Sequence, residues 1–257
     1  MAMSEWLTGA IMFDFNDTRY THMPFVASDA AGNPSEFCCI MNGEGLWKLH
    51  RFNGSKWERV KTGLPADATE CGPTAEWEDG MWKISFIAGG WENDRRFRLY
   101  RMYGLDSEPM AQGFADVGFV RKNRIASATR RGPVFIVEPE RTITLAMPKV
   151  AFLYRLSYDP LQSNRLLLSG SFPNGEIFSW SYKPGMKELY SLTADGVAAY
   201  KCAFWQEDCF YAERLAGFED RRIVRANMLK ETPLPAADFI QETEEFNRQS
   251  LVQGEFE

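Results

Sequence analysis

The stretch that decides the fold is PTAEWEDGMWKISFIAGGWENDRRFRLYRMY, residues 73–103. It reads as three short strands. The first covers 74–77, and Glu78-Asp79-Gly80 turns the chain into a second over 81–88. A loop over 89–95 leads to a third strand over 96–102. Asp-Gly between two runs rich in apolar and aromatic residues is a hairpin signal, because the turn needs a positive φ that glycine adopts without steric cost.

The outline recurs. A glycine closes the second strand of each unit, at Gly43, Gly90, Gly132, Gly170 and Gly217, at intervals of 47, 42, 38 and 47 residues. That period is the length of a four-stranded propeller blade. First strands fall at 24–28, 74–77, 116–120, 153–158 and 201–205, each followed by a polar turn and a second strand. The expectation is therefore all-β: one five-bladed β-propeller domain over 1–257, with blades at 24–60, 73–112, 116–147, 153–192 and 201–234. After Ala226 the run NMLKETPLPAAD, with two prolines and no alternation, makes a poor strand. Residues 9–15, GAIMFDF, are strand-like, and a closed ring must remove its edges, so they are expected to supply the outer strand of the fifth blade. The acidic tail over 236–257 is expected to begin with a short helix at 236–247.

Composition narrows the function classes. Apolar residues at 45% and charged residues at 25% are ordinary for a globular chain, while aromatics at 14% suit sheets packed face to face. A net charge of -6 argues against nucleic acid as a partner, since phosphate binding needs a positive field. Arg121, Lys122 and Arg124, with Arg130-Arg131, form only a local basic patch. The five cysteines lack any CxxC pair and read as buried thiols of a reducing compartment. No basic leader and no apolar run of about 18 residues is present, so the expected address is the cytoplasm, with no membrane partner. Nothing in the pattern calls for a cofactor or metal. His22 and His50 are the two histidines and have no ligand-like spacing, which makes a structural role the stronger reading of His22.

In a blade, the loops into the first strand and those joining strands two and three share one face. That face collects long loops with aromatics and both charge signs, where a rigid scaffold usually carries its binding residues. The ligand-binding candidates are His22, Glu70, Trp91, Arg95, Asp116, Tyr154, Arg155 and Lys201. Each has a plainer alternative: Trp91 packed on its own blade, Glu70 and Asp116 capping backbone N–H groups, Cys71 an inert thiol. A carboxylate beside a cation has its pKa lowered and makes a poor general acid. The expected function is thus binding of a small polar molecule, glycan or protein loop on the long-loop face.

Residues 71–86, from Cys71-Gly72-Pro73 across the Asp79-Gly80 turn to Phe86, resemble a blade of the five-bladed propeller glycoside hydrolases of the arabinanase and fructosidase type. His22-Met23-Pro24-Phe25 through Asp29 shows the same outline. The resemblance implies three carboxylates in a central cavity. Here the chain departs from it, with Met23 before Pro24 and Cys71 before Gly72-Pro73 where that family places acids. Asp17, Glu70 and Asp116 are the catalytic candidates of this alternative, and a structural or assembly module is the third reading.

Overall fold

The computed structural model describes residues 21–159, 164–194, 197–198, 200–206, 209–215, 221–226 and 229–246. They form an all-β propeller with almost no helix. Blade 1 is β1 (Thr21–Ser28), β2 (Pro34–Met41), β3 (Trp47–Phe52) and β4 (Trp57–Arg59). Blade 2 is β5 (Thr69–Glu78), β6 (Met81–Gly89), β7 (Arg98–Tyr103) and β8 (Met110–Phe114). Blade 3 holds β9 (Val117–Arg121), β10 (Arg124–Ala128), β11 (Val134–Val137) and β12 (Arg141–Ala146). Blade 4 holds β13 (Phe152–Tyr158), β14 (Leu166–Ser171), β15 (Ile177–Lys183), β16 (Glu188–Ala194) and the short β17 (Val197–Ala198). All are antiparallel meanders in chain order.

Among the described residues, four complete blades stand where five are expected. The fifth unit is a three-stranded sheet of β18 (Tyr200–Gln206), β19 (Cys209–Leu215) and β20 (Arg221–Ala226). Its β18 contacts β13 on one side and β1 on the other. The chain after Ala226 does not return to this sheet. It forms β21 (Leu229–Leu234), which pairs with β16 from Ala194↔Leu229 to Leu189↔Leu234, on the outer edge of blade 4. The expectation of no strand here fails because an outermost strand has one edge free of ladder bonds, and Pro233, opposite Tyr190, is tolerated there. Residues 9–15 lie outside the described residues.

The expected C-terminal helix is absent. After a single 3-10 turn at Ala236–Asp238, residues Gln241–Phe246 form β22, which pairs with β12 on the outer edge of blade 3. The unpaired edge of β12 offers a full ladder, and tertiary pairing outweighs the helix preference of glutamate. Glu244 meets Arg141 at 3.1 Å, and Glu242 accepts from the Tyr182 hydroxyl at 2.5 Å and the Gly185 amide at 3.0 Å. Phe239 docks against Trp180, ring centroids 5.3 Å apart, and Ile240 is buried. The segment is a strap across two blade edges.

The axis is packed. Phe25 of β1, Ala75 of β5, Phe119 of β9 and Tyr158 of β13 are all buried. The Tyr158 ring lies 5.3 Å from Phe25 and 5.1 Å from Phe119, and its hydroxyl donates to the Ala75 carbonyl at 2.7 Å. Burial pushes this phenol well above the ordinary tyrosine range, so it remains a donor. A second layer is built from bulges. The register of β1 shifts between His22 and Phe25, that of β5 between Cys71 and Thr74, and that of β13 between Leu153 and Arg155. Met23 (φ 54°) and Gly72 (φ 59°) occupy equivalent bulge positions, each before a proline. The Gly72 amide lies 2.9 Å from the Met23 sulfur, and Arg155 donates to the Pro73 carbonyl at 3.2 Å.

Cys38, Cys39 and Cys71 are buried, and Cys39 packs with Met23 and Cys71. The side chains of Cys202 and Cys209 lie outside the described residues. Among the described residues no helix is long and apolar enough to cross a membrane.

The repeating glycines do different jobs. Gly90 turns the chain at φ 83°. Gly170 instead lies within β14, where an added Cβ would overlap the Phe152 carbonyl oxygen and the Phe178 ring. Gly170→Ala is expected to cost about 1–3 kcal/mol by overpacking, measured by urea denaturation. Glu36 of β2 gives a second test. It is 1% exposed, neither carboxyl oxygen has a hydrogen-bond partner among the described residues, and burial raises its pKa to about 8. The folded protein therefore keeps a proton that the unfolded chain releases. The resulting destabilisation is absent below the unfolded value of 4.5 and grows as pH rises through the window up to about 8. Wild type should lose stability across that window relative to Glu36→Gln; parallel pH profiles for the two proteins would contradict this.

Candidate functional site

The two described carboxylates among the sequence candidates are held by protein donors. Glu70 lies on β5 but turns toward blade 1. One oxygen accepts from the Leu49 amide at 2.7 Å, the other from Arg59 at 2.7 Å and Thr62 at 2.8 Å, and the residue is fully buried. It ties two blades together. Asp116, just before β9, accepts from the Arg130 amide at 3.0 Å, while its own amide donates to the Ala128 carbonyl at 3.0 Å. It shapes the β10–β11 loop. Asp17 lies outside the described residues, as do the side chains of His22 on β1 and Lys201 on β18.

Arg155 is buried and spent on the Pro73 carbonyl. Tyr154 sits at the β13 bulge, half-buried, with its hydroxyl 3.1 Å from Ser171 Oγ. Alternation keeps these neighbours on different sides of the strand. Trp91 is partly buried against the main hydrophobic core and bridges to Asp94. Arg95 is exposed at the tip of the same loop.

What the long-loop face assembles is a band of guanidinium groups on aromatic rings. In blade 2, Arg96 lies 4.5 Å and Arg98 4.8 Å over Phe114, and Arg98 also lies 5.8 Å from Trp91. Asp94 anchors both arginines, accepting from Arg96 Nε at 3.0 Å and pairing with Arg98. Hydrogen bonds first from Arg96 and then from Arg98 hold its carboxyl well below the ordinary range. The band crosses to blade 3 along the backbone: Ala115 donates to Phe97 at 3.2 Å, and Asp116 holds Arg130. It reaches blade 4 through the Leu153 amide, which donates to the Arg130 carbonyl at 2.7 Å. There Arg130 and Arg131 lie 5.4 and 5.8 Å from Phe152, which packs on Tyr154 at 5.2 Å.

Arg95, Arg96, Arg130 and Arg131 are exposed, and Phe114 is 59% exposed. A guanidinium lying on a ring face keeps its edge donors outward, where they match a carboxylate or sulfate. Arg96, Arg98 and Phe152 are absent from the sequence candidates. The RRFR run at 95–98 was the available signal, but its pairing with Phe114 spans a strand and depends on the β7–β8 pairing.

Comparisons with protein-family descriptions, characterised proteins and solved structures return no match, so the site's own geometry is the basis for a functional reading.

Proposed function

We propose that this propeller is a binding module that takes an acidic glycan on its long-loop face, along the band from Arg96 to Phe152. The single observation that carries the reading is the stacking of exposed arginines on Phe114 and Phe152 across three consecutive blades. Aromatic faces suit sugar rings, and the guanidinium edges suit carboxylates. The overall charge of -6 leaves this band as a local cationic strip that favours one docking face.

Binding is preferred over hydrolysis for a physical reason. Hydrolysis with two carboxylates needs them about 5–9.5 Å apart on either side of a scissile bond. Glu70 is enclosed between blades, and Asp116 is engaged with a loop amide. The ring itself is read as five-bladed. On this reading the three-stranded sheet between β13 and β1 is the fifth blade, and residues 9–15 complete its outer edge, the place left open when β21 joins blade 4.

Calorimetric titration with oligogalacturonate is the test, with neutral arabino-oligosaccharide as control. Saturable binding of the acidic oligomer alone is expected, weakened about tenfold by Arg96→Ala and by Arg130→Ala. Equal affinity for the neutral oligomer, or unchanged affinity in both variants, would overturn the reading.

A further inference from the structure

Blade 3 carries a cavity of ≈ 380 Å³ between its β9–β10 turn, residues 121–124, and its β11–β12 turn, residues 138–140. These turns lie on the face opposite the guanidinium band. Several wall groups are fixed in advance. Arg121 stacks 4.1 Å over Tyr158, donates to the Asp159 carbonyl at 3.2 Å and lies 3.8 Å from Glu76. Arg124 donates to Glu138 at 2.7 Å, and Glu138 also accepts from Arg141 at 2.6 Å. Burial alone would raise the Glu138 carboxyl, but Arg141 and Arg124 outweigh it and hold the group below the ordinary range, an anion.

Two charges face this cavity without such partners. Lys122 has φ 49°, a left-handed conformation disfavoured for a lysine, and its amide is pinned to Glu76 at 3.1 Å. Among the described residues, neither its ammonium nor the Glu140 carboxylate has a hydrogen-bond or ion-pair partner, and both are exposed. They stand on facing turns. A simple anion would meet Glu138 and Glu140; a simple cation would meet Arg121, Lys122 and Arg124.

We propose that this cavity binds a small amphoteric molecule, one bearing a carboxylate and an ammonium group a few bonds apart. Its carboxylate pairs with Lys122 and the Asn123 amide, its ammonium with Glu140, and its chain lies along Pro139. The volume falls within the roughly 300–1,000 Å³ of small-molecule clefts. The fixed arginines keep the walls in place, so the side-chain freedom lost on binding is confined to Lys122 and Glu140. This site is independent of the glycan-binding reading.

The test is an amide-resolved NMR titration of the full chain with γ-aminobutyrate and L-glutamine, using butyrate and butylamine as singly charged controls. Amphoteric probes should shift resonances of 121–124 and 138–140. Lys122→Gln and Glu140→Gln should each weaken binding about tenfold, while Arg96→Ala titrates as wild type. Absence of shifts in both turns would overturn the proposal. So would equal binding of a singly charged control, or wild-type affinity in both cavity variants.

Discussion

The Tyr158 hydroxyl donating to the Ala75 carbonyl is the contact on which the centre of the molecule depends. A propeller brings the inner strands of all its blades to one axis, and whatever sits there must satisfy several blades at once. Here a single phenol from blade 4 bonds blade 2, packs on Phe25 of blade 1 and on Phe119 of blade 3, and carries Arg121 on its face. Around Tyr158 the centre is closed by apolar rings, and the polar groups considered for ligand binding stand on the two outer faces. The guanidinium band and the blade 3 cavity occupy those faces.

Several buried charges are bonded between blades. Glu70 joins blade 2 to β3 and to Arg59. Glu76 of blade 2 takes Arg101 of its own blade at 2.5 Å and the Lys122 amide of blade 3. A buried charge is tolerated when its lone pairs and protons are all answered, and pairs of this kind fix the rotation of one blade against the next. Glu36 breaks that rule by staying protonated instead.

Sheet edges are the remaining problem of any propeller, since each outermost strand exposes an unpaired row of N–H and C=O groups. The strap of β21 and β22 covers two such edges in reverse chain order, blade 4 first and then blade 3. It also reaches the cavity, because Glu244 on β22 holds Arg141, which holds Glu138. The strap therefore secures an edge and a wall of the proposed ligand site together.

Local pattern was enough to read the inner and second strands of each unit, but not β21 or β22. The Asp79-Gly80 turn, the alternation in 81–88 and the recurring glycines locate the inner and second strands, with β5 starting at Thr69 rather than 74 and Cys209–Leu215 coinciding with the structure. Those features depend on neighbours in sequence: a turn needs its positive φ, and a half-buried strand needs its period of two. The face carrying the long loops follows from the same counting. Which side chains meet does not. Glu70 has the appearance of a cavity acid in the sequence, and only the packing of blade 2 on blade 1 directs it to Arg59. The acidic tail has helical composition, and only the open edge of β12 makes it a strand. Arg96 finds Phe114, and Arg130 finds Phe152, because separate strands end side by side on one face. Sequence by itself determined the inner strands, their hairpins and their spacing, which are short-range; the tertiary structure alone decided the partners and the strands added at blade edges, because contacts across blades depend on how whole sheets are set around the axis.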